Sequence, residues 1–159
     1  MEWADGKQRC WWANPNNEAY VRYHDEEWGV PVRDDRMLFE MLILEGFQAG
    51  LSWECVLNKR AAFRRAFDNF DAQAVSAYGP EKLAALQSDA GIIRNRLKIR
   101  AAVGNARAFL AIQQDCRGFS RCCSCKIAWP KLLCTSEAET WAAEQGKVPQ
   151  APFVAVKTL

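Results

Sequence analysis

The chain has 159 residues, half of them apolar and a quarter charged, with a formal net charge of +2. That is the size and composition of one globular domain with its own core, too short for two domains and too apolar for a disordered chain. The weak positive balance permits a nucleic-acid partner without arguing for one, so the placement of the charges has to decide.

In chain order the sequence predicts an all-α protein. Asp34 or Asp35 can cap a helix running to about Gly50, with Leu38, Leu42, Glu45 and Ala49 along one stripe. Ser52 can cap the next, carrying Val56, Ala62, Phe63 and Ala66, and Asp71 starts a short helix to about Ala77. The pair Gly79-Pro80 ends that helix and puts a proline in the first turn of another, Glu81 to Gln87. A tight turn, Asp89-Ala90-Gly91, then leads into a long helix from about Ile92 to Gln114, whose apolar positions are Ile99, Val103, Ala106 and Leu110.

Composition changes after Gly118. Arg121-Cys122-Cys123-Ser124-Cys125-Lys126 opens a stretch with prolines at 130, 149 and 152 and helical pattern only over about Glu137 to Gln145. Residues 1–119 are therefore expected to form a helical domain and 120–159 a divergent tail. The apolar run near Met41 to Leu44 lies between Glu40 and Glu45, and no apolar run is long enough for a membrane span. The start of the chain has acids and no export-type apolar region, so a cytoplasmic location is expected. Seven cysteines, an odd count, argue against a disulfide framework.

Four features could carry chemistry. Between Ala90 and Gln114 there is no acid, while Arg94, Arg96, Lys98, Arg100 and Arg107 are basic. With the preceding short helix and turn this makes a helix–hairpin–helix candidate that offers backbone N–H groups and cations to a phosphate. A solvated basic helix face accounts for the same run equally well.

Nine of the eighteen aromatic residues fall within the first 53 positions, Trp12, Tyr23, Trp28 and Trp53 among them. They suit the stacking of an extruded base, and a cationic base above all. They would also serve as ordinary core. Glu45 places a carboxylate on the predicted apolar stripe, where it must either pair with an arginine or receive a ligand. Cys10 and His24, the only histidine, are credible zinc ligands, but two ligands do not close a tetrahedral site.

Three stretches bring these features together. They are Tyr23-His24-Asp25-Glu26-Glu27-Trp28-Gly29-Val30-Pro31, Leu44-Glu45-Gly46-Phe47-Gln48-Ala49-Gly50-Leu51-Ser52-Trp53, and Asp89-Ala90-Gly91-Ile92-Ile93-Arg94-Asn95-Arg96 continuing through Lys98 to Arg107. In order and spacing, over about residues 10 to 112, the chain resembles the DNA-3-methyladenine glycosylase I family.

The resemblance implies a helix–hairpin–helix glycosylase fold, a monomer, and excision of 3-methyladenine from double-stranded alkylated DNA. It implies that Glu45 is the catalytic and base-bonding carboxylate, and that Trp12, Tyr23, Trp28 and Trp53 form or support the pocket. Ala90, Gly91, Arg94, Arg96 and Lys98 would grip the DNA backbone. It also implies a structural zinc, held by Cys10 and His24 together with a histidine and a cysteine near the family's C-terminus.

No histidine follows His24 here, and the match of motifs stops near Phe119. The tail is thus expected to be out of register with the family, through a frameshift or truncation, with zinc bound weakly or not at all. A chain that keeps DNA binding but has lost catalysis is the alternative. A small zinc or redox module built on the tail cysteines is disfavoured, because Cys-Cys-x-Cys is not paired Cys-x-x-Cys spacing.

Overall fold

The computed structural model describes residue 3, residues 5–116 and residues 118–120. The expected tail beyond Ser120, with Cys122, Cys123, Cys125, Cys134 and the helix expected at Glu137 to Gln145, lies outside the described residues. Among the described residues there are helices and no strand, and no helix is long and apolar enough to cross a membrane.

The order is α1 (Glu18–Glu26), α2 (Asp35–Gln48), α3 (Trp53–Asn58), α4 (Arg60–Ala66), a 3-10 turn (Asp68–Phe70), α5 (Ala72–Ser76), α6 (Pro80–Ser88) and α7 (Arg96–Cys116). Four of the starts follow from local chemistry. Asp34 accepts from the Met37 N–H, Ser52 from Cys55 and Asp71 from Gln73 and Ala74, while Pro80 opens α6.

Three expectations are corrected. Helix α1, capped by Asn17, was not anticipated. The helix expected from Ser52 through Ala66 breaks at Lys59 into α3 and α4. The long helix begins at Arg96, not Ile92, because Asn95 Oδ1 accepts the N–H groups of Leu97 and Lys98 as a cap. Ile92, which is buried, belongs to the segment ahead of it.

The core is built on α2 and α7. Phe39, Ile43, Leu44 and Phe47 of α2 meet Ile99, Ala102, Ala106 and Phe109 of α7, with Val56, Phe63, Phe67, Phe70 and Val75 closing the sides. Phe39 and Phe109 lie 5.0 Å apart between centroids, and Phe47 meets Phe63 edge-on at 4.7 Å. The buried stripe of α2 is thus one position away from the predicted one. Ala49 is exposed and Glu45 only half-buried, while Glu40 is the carboxylate inside the core, at 5% exposure.

Burying an isolated carboxylate would cost several kcal/mol, but Glu40 is matched on both oxygens. Arg60 Nε donates to Glu40 Oε1 at 2.6 Å, and Arg64 donates to Oε1 at 2.8 Å and Oε2 at 3.0 Å. Arg60 Nη1 also donates to both oxygens of Glu27, just beyond α1. Burial alone would lower the Arg60 pKa; the bonds to Glu40 and Glu27 raise it instead.

Between α4 and α5 three consecutive non-glycine residues, Asp68, Asn69 and Phe70, have φ of 50°, 52° and 55°. Such a run costs on the order of 1–2 kcal/mol per residue. It persists because Phe70 is buried and Asp68 accepts the Tyr78 hydroxyl at 2.6 Å beside Lys82 at 3.2 Å.

Replacing Glu40 by alanine leaves Arg60 half-paired against the core. We expect Glu40→Ala to lower unfolding free energy by about 3 kcal/mol in urea titration. A loss below about 1 kcal/mol would show that the two arginines hold nothing in place.

Candidate functional site

Glu45 stands apart from the Glu40 network. Its side chain makes no hydrogen bond or ion pair among the described residues, and desolvation pushes its pKa up to about 7. Of the two roles open to it from sequence, pairing with an arginine falls instead to Glu40.

Beside Glu45 is Tyr23, whose pKa is pushed up to about 12, first by burial and then by the Glu45 and Glu27 carboxylates. Tyr23 meets Trp53 at 5.5 Å and 61°, and the buried Trp53 Nε1 makes no well-formed hydrogen bond among the described residues. A carboxylate without a partner, a phenol and an indole N–H therefore stand close together. This combination accepts and donates hydrogen bonds and presents aromatic faces to a flat cation.

The four aromatic residues picked out from sequence do come together. Trp12 lies 5.4 Å from Trp28 and 5.3 Å from Tyr20, and Tyr20 stacks 6.5 Å from Tyr23, which leads on to Trp53. Trp28 is half-exposed at the rim. Tyr20 was missed, although its spacing of three from Tyr23 places both on one helix face. His24 was anticipated only as a ligand, yet it stacks on Trp28 at 5.7 Å and 16°.

Cys10 and His24 are linked by a hydrogen bond. His24 Nε2 accepts the Cys10 backbone N–H at 3.2 Å, and Nδ1 faces Asp25 Oδ1 at 3.0 Å. Asp25 in turn receives Arg9 at 2.8 and 2.6 Å, and Arg9 also donates to Asp5. A carboxylate behind a histidine suits a metal ligand. No group of three potential ligands gathers among the described residues, and a tetrahedral site would need two ligands besides Cys10 and His24.

The hairpin between α6 and α7 departs from expectation in detail. The Gly91 N–H donates to Asp89 Oδ1 at 2.7 Å and is not free for a phosphate. A Cβ at Gly91 would lie 3.0 Å from that oxygen and 3.1 Å from the Ala62 Cβ, so any larger residue here would have to push these neighbours back. The carbonyls of Ala90 and Gly91 accept from Lys59 Nζ at 3.2 and 3.3 Å.

Lys98, expected to face DNA, donates instead to the carbonyls of Phe47 at 2.9 Å and Ala49 at 2.5 Å, capping the end of α2. Burial lowers its pKa. Arg107 likewise donates to the Ser76 carbonyl at the end of α5. Arg94, Arg96 and Arg100 remain exposed, with Leu97 among them at 61% exposure.

Comparison with known proteins adds family context. A family model described as methyladenine glycosylase matches residues 11–145, past the point where the motif resemblance ends. The chain is similar to DNA-3-methyladenine glycosylase 1 of Escherichia coli (strain K12), 51% identical over 108 residues, which are 68% of this chain and 57% of that protein.

It also resembles a crystal structure of 3-methyladenine DNA glycosylase I, with TM-score 0.68, 49% identity, and coverage of 71% of this chain and 62% of the other. A further neighbour is a point variant of such an enzyme in complex with 3-methyladenine, with TM-score 0.66, 34% identity, and coverage of 67% and 57%. The chain therefore spans a little over half the length of the Escherichia coli protein it matches.

The raised pKa of Glu45 has a consequence for stability. Because the folded value lies near 7 and the ordinary glutamate value is 4.5, stability falls as pH rises from about 4.5 to about 7 and stays lower above that. Replacing Glu45 by glutamine removes that penalty. Glu45→Gln should be more stable than the wild type at pH 8, by up to about 3 kcal/mol relative to the difference at pH 4, in thermal denaturation. Equal pH profiles would mean that Glu45 is solvated.

Proposed function

Because this chain belongs to the methyladenine glycosylase family, we propose that it removes 3-methyladenine from alkylated double-stranded DNA by hydrolysing the N-glycosidic bond. The observation that carries this is the half-buried Glu45, unpaired among the described residues, beside the Tyr23–Trp53 pair.

A base methylated at N3 is cationic. Once flipped from the stack, it can lie against electron-rich rings while Glu45 accepts its exocyclic N–H and compensates its charge. When the C1′–N9 bond breaks, the electron pair goes to the base and neutralises it, and the sugar becomes oxocarbenium-like. Water then adds at C1′ and loses a proton. The leaving group is already activated, so positioning and charge complementarity supply much of the rate. Arg94 and Arg96, exposed at the hairpin, suit the phosphate backbone.

A catalytically impaired chain that binds DNA without releasing base is the second reading. Exposed Arg94 and Arg96 favour it, since they can hold a phosphate backbone without a working base pocket. Release of free 3-methyladenine from methylated duplex DNA separates the two.

Glu45 is anionic only above about 7, and only the anion attracts the cationic base. We expect kcat/KM to fall as pH drops through about 7 and Glu45→Gln to lower it about 10- to 100-fold while flattening that limb. A variant that keeps the wild-type profile would remove Glu45 from the mechanism.

The hairpin allows a separate test. Arg94→Ala and Arg96→Ala should each reduce the slope of log affinity against log salt by about 1. Lys98→Met should leave the slope unchanged and lower stability by about 1–3 kcal/mol. A slope that moves with Lys98 and not with the arginines would reverse this assignment.

A further inference from the structure

Helix α1 supplies Tyr20, Tyr23 and His24 to the aromatic cluster, yet none of its residues is fully buried. Its ring contacts are only partly buried, and polar bonds at both ends add to them in fixing its position. At the C-terminal end, Glu27 is held by Arg60.

At the N-terminal end, Asn17 acts with both side-chain atoms. Its Oδ1 accepts the Tyr20 N–H as the helix cap. Its Nδ2 donates to Glu54 Oε1 at 2.7 Å and to Asn58 Oδ1 at 2.9 Å. Asn14 Nδ2 donates to the same Glu54 oxygen at 2.8 Å. Glu54 and Asn58 are one turn apart on α3, and Glu54 directly follows Trp53.

Glu54 forms no ion pair among the described residues. Its bonds there go to two amides on the segment that leads into α1. An ionised acceptor makes such bonds stronger than a neutral one would. The same charge, after burial, helps to raise the Tyr20 pKa, so Glu54 lies close to the aromatic wall.

We propose that Glu54, acting through Asn17, is a positioning residue for the base pocket, setting the separation between Tyr23 on α1 and Trp53 on α3. The proposal rests on the glycosylase reading of this pocket. A flat base held between rings and a carboxylate is sensitive to shifts of about 1 Å in those walls.

The test uses the full chain with Glu54→Ala, Glu54→Gln and Asn17→Ser. Glutamine keeps an acceptor oxygen in place. Serine keeps a cap oxygen for α1 but removes the amide donor, and it supplies the same test if the alanine variant does not fold. At a temperature well below unfolding, tryptophan fluorescence gives the Kd for free 3-methyladenine. Methylated duplex DNA gives kcat and KM, and near-UV circular dichroism reports the Tyr23–Trp53 geometry.

Glu54→Ala and Asn17→Ser should each raise Kd and KM about tenfold with kcat little changed. They should also alter the near-UV spectrum, while Glu54→Gln stays within about threefold of the wild type. A lower melting temperature with unchanged Kd, KM and spectrum would overturn the proposal, leaving Glu54 a purely structural bond. If the wild type binds no 3-methyladenine, the glycosylase reading fails. The positioning proposal is then decided by the near-UV spectrum, and a Glu54→Ala spectrum identical to the wild type overturns it.

Discussion

One guanidinium joins three helices. Arg60 on α4 reaches Glu40 in the middle of α2 and Glu27 just past α1, and Arg64 completes the pairing of Glu40. Buried charges tolerate no loose geometry, so this contact fixes the angle at which α4 crosses α2 and the place where α1 ends. It also settles the charge balance nearby. The two arginines that could have neutralised a carboxylate on α2 are both held at Glu40. Glu45, a turn and a half further along, has no cation beside it among the described residues, and desolvation pushes its pKa up to about 7.

The acid-free run from Ala90 to Gln114 looks uniform in sequence but divides by direction. Lys98 and Arg107 turn toward carbonyls at the ends of α2 and α5, where the helix dipole favours a cation. Arg94, Arg96 and Arg100 face outward. The basic surface is therefore smaller than the basic sequence, and the inward cations brace the scaffold on which the outward ones sit.

Features set by neighbours in the chain were legible in advance. Asp34, Ser52 and Asp71 cap their helices by local bonding and Pro80 opens α6, and the aromatic residues the motifs singled out lie near one another, with Glu45 beside Tyr23. Features set by distant partners were not. Helix α2 is apolar on more than one face, since Leu38 and Leu42 pack against the core beside Phe39 and Ile43, so its periodicity pointed to a neighbouring stripe. Glu40 gave no local sign of burial because its partners lie 20 and 24 residues away. Asn95 caps α7 from within a run that drew attention for its charge, and α1 escaped notice because it buries nothing fully.

Lys59 breaks what would otherwise be one helix and lays its ammonium on the carbonyls of Ala90 and Gly91. The hairpin turn is therefore ordered by the fold before anything approaches it. Conformational entropy lost in folding is not lost again on association. Any partner that met the exposed arginines would meet a turn already tied to α4, and its docking would not have to wait on the closing of that loop.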